Sequence, residues 1–505
     1  MAAVSAVTTP PRSRREIVVA FSGIMLATLL AALDQTIVAT ALPQIVADLR
    51  GFEHLSWVVT AYLLTSTVTI PLYGRLSDIY GRRPLFVVSI SIFVVASVLC
   101  GVAQSMGQLI AFRALQGLGA GGLIPLAQAA VADLFSPRER GRYQGFIGAV
   151  WATAAVAGPL LGGTLTDAAT WRLIFLVNLP LGLLALVVVV RTLRPGVARA
   201  QPSIDYLGAT LLTVAILGVL LAAVWGGTSY GWTSWPVAAA LASGVASGVA
   251  AGVAFVAVER RVPEPILPLS LFSNRTFVVA TAAAFVIGAV LFLVTIYVPV
   301  FVQGVLGGSA TRSGIVLIPL SLGWVVVSAA AGQVVARTGR YRGFPIAGAA
   351  LVVAGMWLLS RLDADSSAGF AALALVVLGV GMGVSYPVYL VATQSAVAPQ
   401  DVGVATSSLL FLRTMGGALA IGGVGALLAG RLHAELTTRL GDGATRVDVD
   451  RLLQGGVAAG PLRDASEAAL GDALHAVFLA GLPLALAGVA LALALPAREL
   501  RTTTS

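Results

Sequence analysis

Long apolar runs separated by short polar clusters make up most of this chain. Fourteen runs approach or exceed the length that reads as a membrane helix: they span 17–42, 54–73, 84–104, 108–132, 143–165, 171–190, 205–225, 235–257, 276–301, 313–336, 343–360, 369–396, 402–430 and 474–495. About 20 residues at 1.5 Å rise cross a hydrocarbon core of ~30 Å. The pattern therefore predicts an all-α polytopic membrane protein with 14 transmembrane helices. The first run lacks a small-residue cleavage site and is followed closely by a second span, so it is expected to stay as a signal anchor.

Two polar turns resemble each other. Gly74 to Arg83 lies between the second and third spans, and Gly332 to Arg340 between the tenth and eleventh. In each, two glycines stand seven apart and an arginine follows the second. This match maps spans one to six onto spans nine to fourteen and leaves the seventh and eighth as an insert. The expected organisation is an N-terminal arm (1–16), a six-helix bundle (17–190), a linker with two inserted helices (191–275), a second six-helix bundle (276–495) and a tail (496–505). Within the second bundle, residues 431–473 read as a long outer loop with short amphipathic stretches at Leu432 to Leu440 and Val449 to Leu453. Either a lid or a solvated connection fits that loop. Parallel six-helix halves around a central cavity are a transporter architecture, with the substrate site near mid-membrane.

Composition removes the soluble alternatives. Of 505 residues, 58% are hydrophobic and 10% charged, against roughly a quarter charged in soluble proteins. The net charge of +9 comes entirely from arginine, since no lysine occurs. A nucleic-acid site would need those arginines on one exposed face; here they are dispersed along the chain. Membrane topology accounts for them better, because positively charged short loops stay cytoplasmic. With both termini inside, 20 arginines fall in inner segments and only Arg50, Arg172, Arg312 and Arg361 in short outer loops. The arginine-rich, alanine-rich composition suggests a GC-rich bacterial genome, and the expected location is the inner (cytoplasmic) membrane, as a monomer. Cys100 is the only cysteine, so no intramolecular disulfide is possible. His54, His433 and His475 fall near the outer surface as solvated histidines, with pH sensing the sharper reading. Trp57, Trp171, Trp225, Trp232 and Trp235 sit at span boundaries as interfacial anchors.

Three charges remain inside spans: Asp34, Arg113 and Arg413. A charge in the bilayer interior costs several kcal/mol unless it is paired or neutralised. Asp34 is the candidate proton-carrying carboxylate, against the plainer reading of a structural ion pair. It lies ~12 Å below the outer end of its helix and Arg113 ~8 Å below the end of the fourth, so the two can share a layer. Arg413 enters ~16 Å from the inner side, near mid-membrane, where a substrate contact and an interhelical lock are equally compatible. At the inner surface, Asp78 or Asp133 paired with Arg82 and Arg83 would hold a gate closed; plain topology-fixing charge is the alternative. The cluster Gly158, Pro159, Gly162 and Gly163 removes bulk and a helix hydrogen bond in the outer half of the fifth span, as a gate or simple helix packing would use. Gln116, Gln128, Trp151, Tyr386, Tyr389 and Gln394 are candidates to line the cavity. No phosphate-binding loop of the lysine type can exist without lysine, and no metal cluster or nucleophile triad stands out. The chain reads as a non-enzyme needing no cofactor.

Four stretches also carry a family resemblance: Leu33 to Pro43, the turn Gly74 to Arg83, then Arg113 with Gln116, Gly117 and Gly119, and Gly158 to Gly163. In order and on these helices they resemble the major facilitator superfamily, and more closely its fourteen-span drug:proton antiporters. The sequence departs from that pattern at Ala39, Ile79 and Ala154, where asparagine, a basic residue and glycine are frequent. The resemblance implies proton coupling at Arg113 and its neighbours, and antiport from the glycine–proline motif. The expected activity is proton-driven export of lipophilic drugs or antibiotics by alternating access. A dedicated exporter of one self-made antibiotic or a lipid is the nearest alternative, and a membrane enzyme or receptor a distant one. One buried carboxylate against two buried arginines favours neutral, monocationic or zwitterionic cargo over dications, with anions left open.

Overall fold

A computed structural model describes residues 14–49, 55–168, 170–193, 269–308, 310–338, 341–363, 366–441 and 461–496, with scattered positions between 207 and 257. Among these residues the regular structure is helical and contains no strand. Six long helices form the first bundle: α1 (Arg14–Leu49), α2 (Leu55–Tyr80), α3 (Arg82–Gly101), α4 (Met106–Leu134), α5 (Pro137–Ala168) and α6 (Asn178–Thr192), the last preceded by one turn, Leu173–Leu176. Six more form the second: α7 (Arg275–Gly304), α8 (Ala310–Thr338), α9 (Gly343–Leu359), α10 (Ala368–Ser395), α11 (Val402–Leu440) and α12 (Pro461–Ala494). Nine candidate membrane spans, long and apolar enough to cross, occur among the described residues. The two inserted helices expected at 205–225 and 235–257 fall mostly outside the described residues.

One packing scheme occurs twice. In the first bundle α1 packs on α5 and α6, α2 on α4, and α3 on α4 and α6; in the second, α7 packs on α11 and α12, α8 on α10, and α9 on α10 and α12. The offset is six helices throughout, the relation that the paired turns implied. Each bundle has its own apolar core, one around Phe86, Phe93 and Leu123 and one around Phe301, Met356 and Phe478. Large apolar side chains such as Val95, Leu184, Val326 and Leu486 point outward. In water such a skin would drive association; in a bilayer it is the lipid-facing surface.

Local chemistry sets several helix ends. Ser105, Asn274 and Ser367 accept hydrogen bonds from backbone N–H groups in the first turns of α4, α7 and α10, satisfying donors that a helix start leaves free. Pro71, Pro125, Pro299, Pro319, Pro387 and Pro483 lie within helices, which membrane bundles tolerate because neighbouring groups re-satisfy the freed carbonyls. Gly81, between α2 and α3, has φ 88°, a left-handed conformation that favours glycine.

The outer segment 431–473 departs from the expected loop. α11 continues to Leu440, and its 39 residues span about 58 Å; α12 already begins at Pro461. Leucines four apart give the extension an apolar stripe, and Leu432 and Leu436 are buried together with Leu470 and Leu474. Arg439 pairs with Asp472 across the two helices. Helix thus replaces loop because the stripe finds a partner. The stretch Val449 to Leu453 lies outside the described residues.

Candidate functional site

A fully buried polar cluster sits in the first bundle. Asp34 on α1 has no solvent exposure, and Arg113 on α4 is likewise enclosed. Arg113 donates through Nη1 to Asp34 Oδ2 at 2.8 Å and to Gln116 Oε1 at 2.7 Å. Gln116 Nε2 and Asn178 Nδ2 each donate to Asp34 Oδ1 at 2.9 Å. Both also reach Ser97 Oγ, at 3.2 and 3.0 Å, and Ser97 donates onward to the Phe175 carbonyl at 2.8 Å. The guanidinium is held from behind by the Val58 carbonyl, 3.2 Å from Nε, and by the Tyr62 ring, with Cζ 4.2 Å from its centroid. The carboxylate therefore accepts three hydrogen bonds, one from a cation, as a buried charge requires. Helix rise alone puts Asp34 and Arg113 in one layer, and the structure places them in contact.

Gln116, read as a cavity candidate, belongs to this cluster. Asn178 and Ser97 were missed by sequence reasoning. Asn178 is the one polar side chain in the run Leu173–Val190, and that isolation in a span is the signal that could have found it. Ser97 gives no comparable signal, since serine is common in packed membrane helices.

The α2–α3 turn forms a second site. Arg82 Nη1 lies 2.6 Å from Asp78 Oδ1 and Nε lies 2.9 Å from Asp133 Oδ2; the same guanidinium also bonds Ser77 Oγ. Asp78 reaches the other bundle, where its carboxylate accepts from the Gly403 and Val404 N–H groups at 3.0 and 2.8 Å. These amides open α11, so the acid occupies a helix N-terminus, where unpaired N–H groups and the helix dipole favour an anion. Around it Arg75 lies 3.8 Å from Asp401, Gly74 abuts Ser407, and Gln394 Nε2 donates to the Gln128 carbonyl and to Thr406 Oγ1. On this face α2 packs on α11 and α5 on α8, with Gly145 against Ala329. The two bundles are closed at this end. Arg83, by contrast, has no ion-pair partner among the described residues. Gln394, read as a cavity candidate, is part of the closure. Nearby Arg140 donates to the Ala132 and Phe135 carbonyls at 2.7 and 3.1 Å, and burial lowers its pKa to about 10, which leaves it charged at neutral pH.

On α5, Gly158 lies against α1 at Thr36, two residues on from Asp34. A Cβ there would collide with Thr36 Oγ1 and stand 2.7 Å from Thr36 Cβ, so only glycine allows this approach. Thr36 Oγ1 donates to the Ala154 carbonyl at 2.9 Å across the same contact. Gly162 is buried further along α5, and Pro159 and Gly163 lie in the same unbroken helix. At the end opposite this closure, Asp48 accepts from Trp171 Nε1 at 2.9 Å and from Arg172 at 2.7 Å. Those two bonds hold its carboxyl below the ordinary range.

In the second bundle, Arg413 is half-buried on α11 with its Cζ 5.0 Å from the centroid of the Tyr386 ring, which meets Trp324 edge-on at 5.7 Å. Tyr389 is enclosed in the α7–α12 core, and Trp151 packs against the first bundle's core. The structure thus brings Asp34, Arg113 and Gln116 into one group, Asp78, Arg82 and Asp133 into another, and Tyr386 with Arg413 into a third.

Comparison with known proteins gives these sites their context. The profile of the Major Facilitator Superfamily matches residues 24–421. The multidrug transporter protein MdtP of Bacillus subtilis is 37% identical over 429 residues, covering 85% of this chain and 78% of MdtP. The acurin A biosynthesis cluster MFS-type transporter of Aspergillus aculeatus is 36% identical over 414 residues, covering 81% of this chain and 74% of that protein. Among solved structures, the proton:xylose symporter XylE aligns with a TM-score of 0.63 at 15% identity, covering 98% of each chain, a likeness of fold. The chain belongs to the Major Facilitator Superfamily and is a multi-pass membrane transporter with the fold of that family.

Proposed function

We propose that this transporter exports lipophilic drugs or antibiotics across the cytoplasmic membrane in exchange for protons, by alternating access and without a cofactor. The observation that carries the reading is the enclosed cluster of Asp34, Arg113, Gln116 and Asn178. An ionisable side chain at that depth reads as a functional site by default, and its three hydrogen bonds give it one defined arrangement to lose on protonation. With both termini cytoplasmic, the latch of Asp78 on α11 is the inner gate, so the arrangement described is closed to the cytoplasm. Proton entry to Asp34 from outside then favours return to the inward-facing state, and release inside favours loading of cargo. Gly158 on Thr36 is the packing contact that lets α1 and α5 move as an outer gate. The monomer holds all of these parts.

Reconstitution tests this directly. Purified protein in proteoliposomes should move protons when a lipophilic drug is supplied against a pH gradient, and Asp34→Asn should abolish that coupled movement. Undiminished proton-coupled transport by the variant would overturn the assignment. One similarity supports a narrower version: the Aspergillus aculeatus relative is named for the biosynthesis of a single compound, so this chain would export one self-made compound. A drug panel separates the two, because a dedicated exporter yields proton movement with one chemical class alone.

A further inference from the structure

Of the three charges within the spans, two neutralise each other and the third stands apart. Arg113 and Asp34 are matched at 2.8 Å, whereas Arg413 makes no ion pair or hydrogen bond among the described residues. Its Nε is buried without a hydrogen-bond partner, and so is the Tyr386 hydroxyl beneath it. Both groups can donate, so what each lacks is an acceptor. The backbone that carries Arg413 is fixed: its carbonyl presses on Gly288 of α7, and the next turn at Gly416 meets the Phe285 carbonyl. The side chain therefore cannot withdraw from mid-membrane by shifting its helix. Tyr386 and Trp324 supply aromatic walls on one side. A lock between the bundles would show its partner while they are closed together at the latch face, and Arg413 has none there.

From this geometry we propose that Arg413 and Tyr386 bind an anionic group, a carboxylate or similar oxyanion, on an aromatic lipophilic cargo. The charge inventory points the same way. Among the described residues of the apolar runs Asp34 is the one acid and already accepts three hydrogen bonds, so a cationic cargo would find no free carboxylate there, while an anion supplies the acceptors that the two orphaned donors lack. The guanidinium is also the side chain best shaped to receive a planar oxyanion through two hydrogen bonds. This refines the cargo of the proposed exporter and rests on that reading only for the direction of travel.

The test is equilibrium binding of three matched probes to the full-length protein in detergent, with no gradient. Pyrenebutanoate, pyrenebutanamide and (4-pyrenylbutyl)trimethylammonium share one aromatic body and differ in charge. Fluorescence polarisation should give the carboxylate an affinity at least ten-fold above those of the amide and the ammonium. Arg413→Gln should bring the carboxylate-to-amide ratio to within two-fold of one, and Arg413→Lys, which keeps the charge, should retain a ratio above three. Tyr386→Phe should lower the ratio while leaving the aromatic wall in place. Equal affinities in the wild type, or a ratio unchanged in Arg413→Gln, would overturn the proposal. Because no proton moves in this measurement, absent proton coupling in proteoliposomes would sink the exporter reading and leave the anion site standing, and the converse result would do the opposite.

Discussion

The latch between Asp78 and α11 makes a quantitative claim about conformation. Replacing Asp78 with asparagine keeps the shape of the side chain but leaves one oxygen where two now accept. In the structure Oδ1 serves Gly403 N–H at 3.0 Å and Oδ2 serves Val404 N–H at 2.8 Å. The variant loses one charge-assisted hydrogen bond, worth about 1.5–3 kcal/mol, and the anion's interaction with the helix N-terminus, worth about 0.3–1 kcal/mol. A total of about 2–4 kcal/mol corresponds to a factor of about 30 to 1,000 in the closed-to-open ratio at that face. Asp133 provides the comparison, because its side chain is 43% exposed, and an exposed pair contributes only ~0–1 kcal/mol.

Spin labels at positions 142 and 342, exposed arginines on opposite bundles at the latch face, report that ratio by pulsed electron resonance in a Cys100→Ala background. Asp78→Asn should raise the long-distance population by at least thirty-fold relative to the closed one. Asp133→Asn should raise it by less than about five-fold, following the energy of an exposed pair. An Asp78→Asn distribution within three-fold of wild type, or equal responses from the two variants, would refute the assignment of the latch to α11's N-terminus.

Three further outcomes test other parts of the structure. Asn178→Ala removes one of three donors to Asp34 and should cost about 1–3 kcal/mol, read as a lower denaturation midpoint in detergent; Asn178→Asp, which places a second carboxylate beside the first, should cost more. Gly81→Ala forces an alanine to φ 88° and ψ 163° and should destabilise by about 1–3 kcal/mol, whereas Gly158→Val should insert normally yet lose transport, because its side chain would strike Thr36. Asp48 has its folded pKa lowered by bonds from Trp171 and Arg172, so the bonded arrangement persists above the ordinary carboxylate range and is lost as pH falls through the lowered value; the Trp171 emission change should have a midpoint below that range and vanish in Asp48→Asn.

How much of this was legible in the sequence follows from the kind of signal each feature leaves. Asp34 and Arg113 were visible because a charge in an apolar run has few harmless explanations, and helix rise alone placed them in one layer. The sixfold offset was visible in the pair of glycine–arginine turns. The far end of the latch was not, because Asp78 bonds to backbone amides of Gly403 and Val404, and any residue carries an amide. Gln116 and Gln394 were read as cavity groups when each is used in a closed contact; sequence marks a polar residue in a span but not which neighbour satisfies it. The outer extension failed differently. Leu432, Leu436 and Leu440 were legible as an amphipathic stretch, but whether such a stripe stays helical depends on a partner, and Leu470 and Leu474 lie about 30 residues on.

The proposed cycle also has to balance energetically. Protonating Asp34 removes the counter-charge of Arg113 in a site without solvent exposure, and breaking a buried pair from one side costs about 3–5 kcal/mol. Arg113 keeps the Gln116 oxygen, the Val58 carbonyl and the Tyr62 face, which sets the cost toward the lower end. A proton moving inward across ~150 mV releases about 3.5 kcal/mol, at 2.3 kcal/mol per 100 mV. The two quantities are of the same order, so in the proposed cycle one proton per swing would offset the loss of the pair. An anionic cargo held at Arg413, as proposed above, would strengthen the balance. Its outward movement would transfer charge in the same electrical sense as an inward proton, so the membrane potential would drive both halves of the proposed exchange, whereas a monocation leaving against one proton entering would draw on the pH gradient alone.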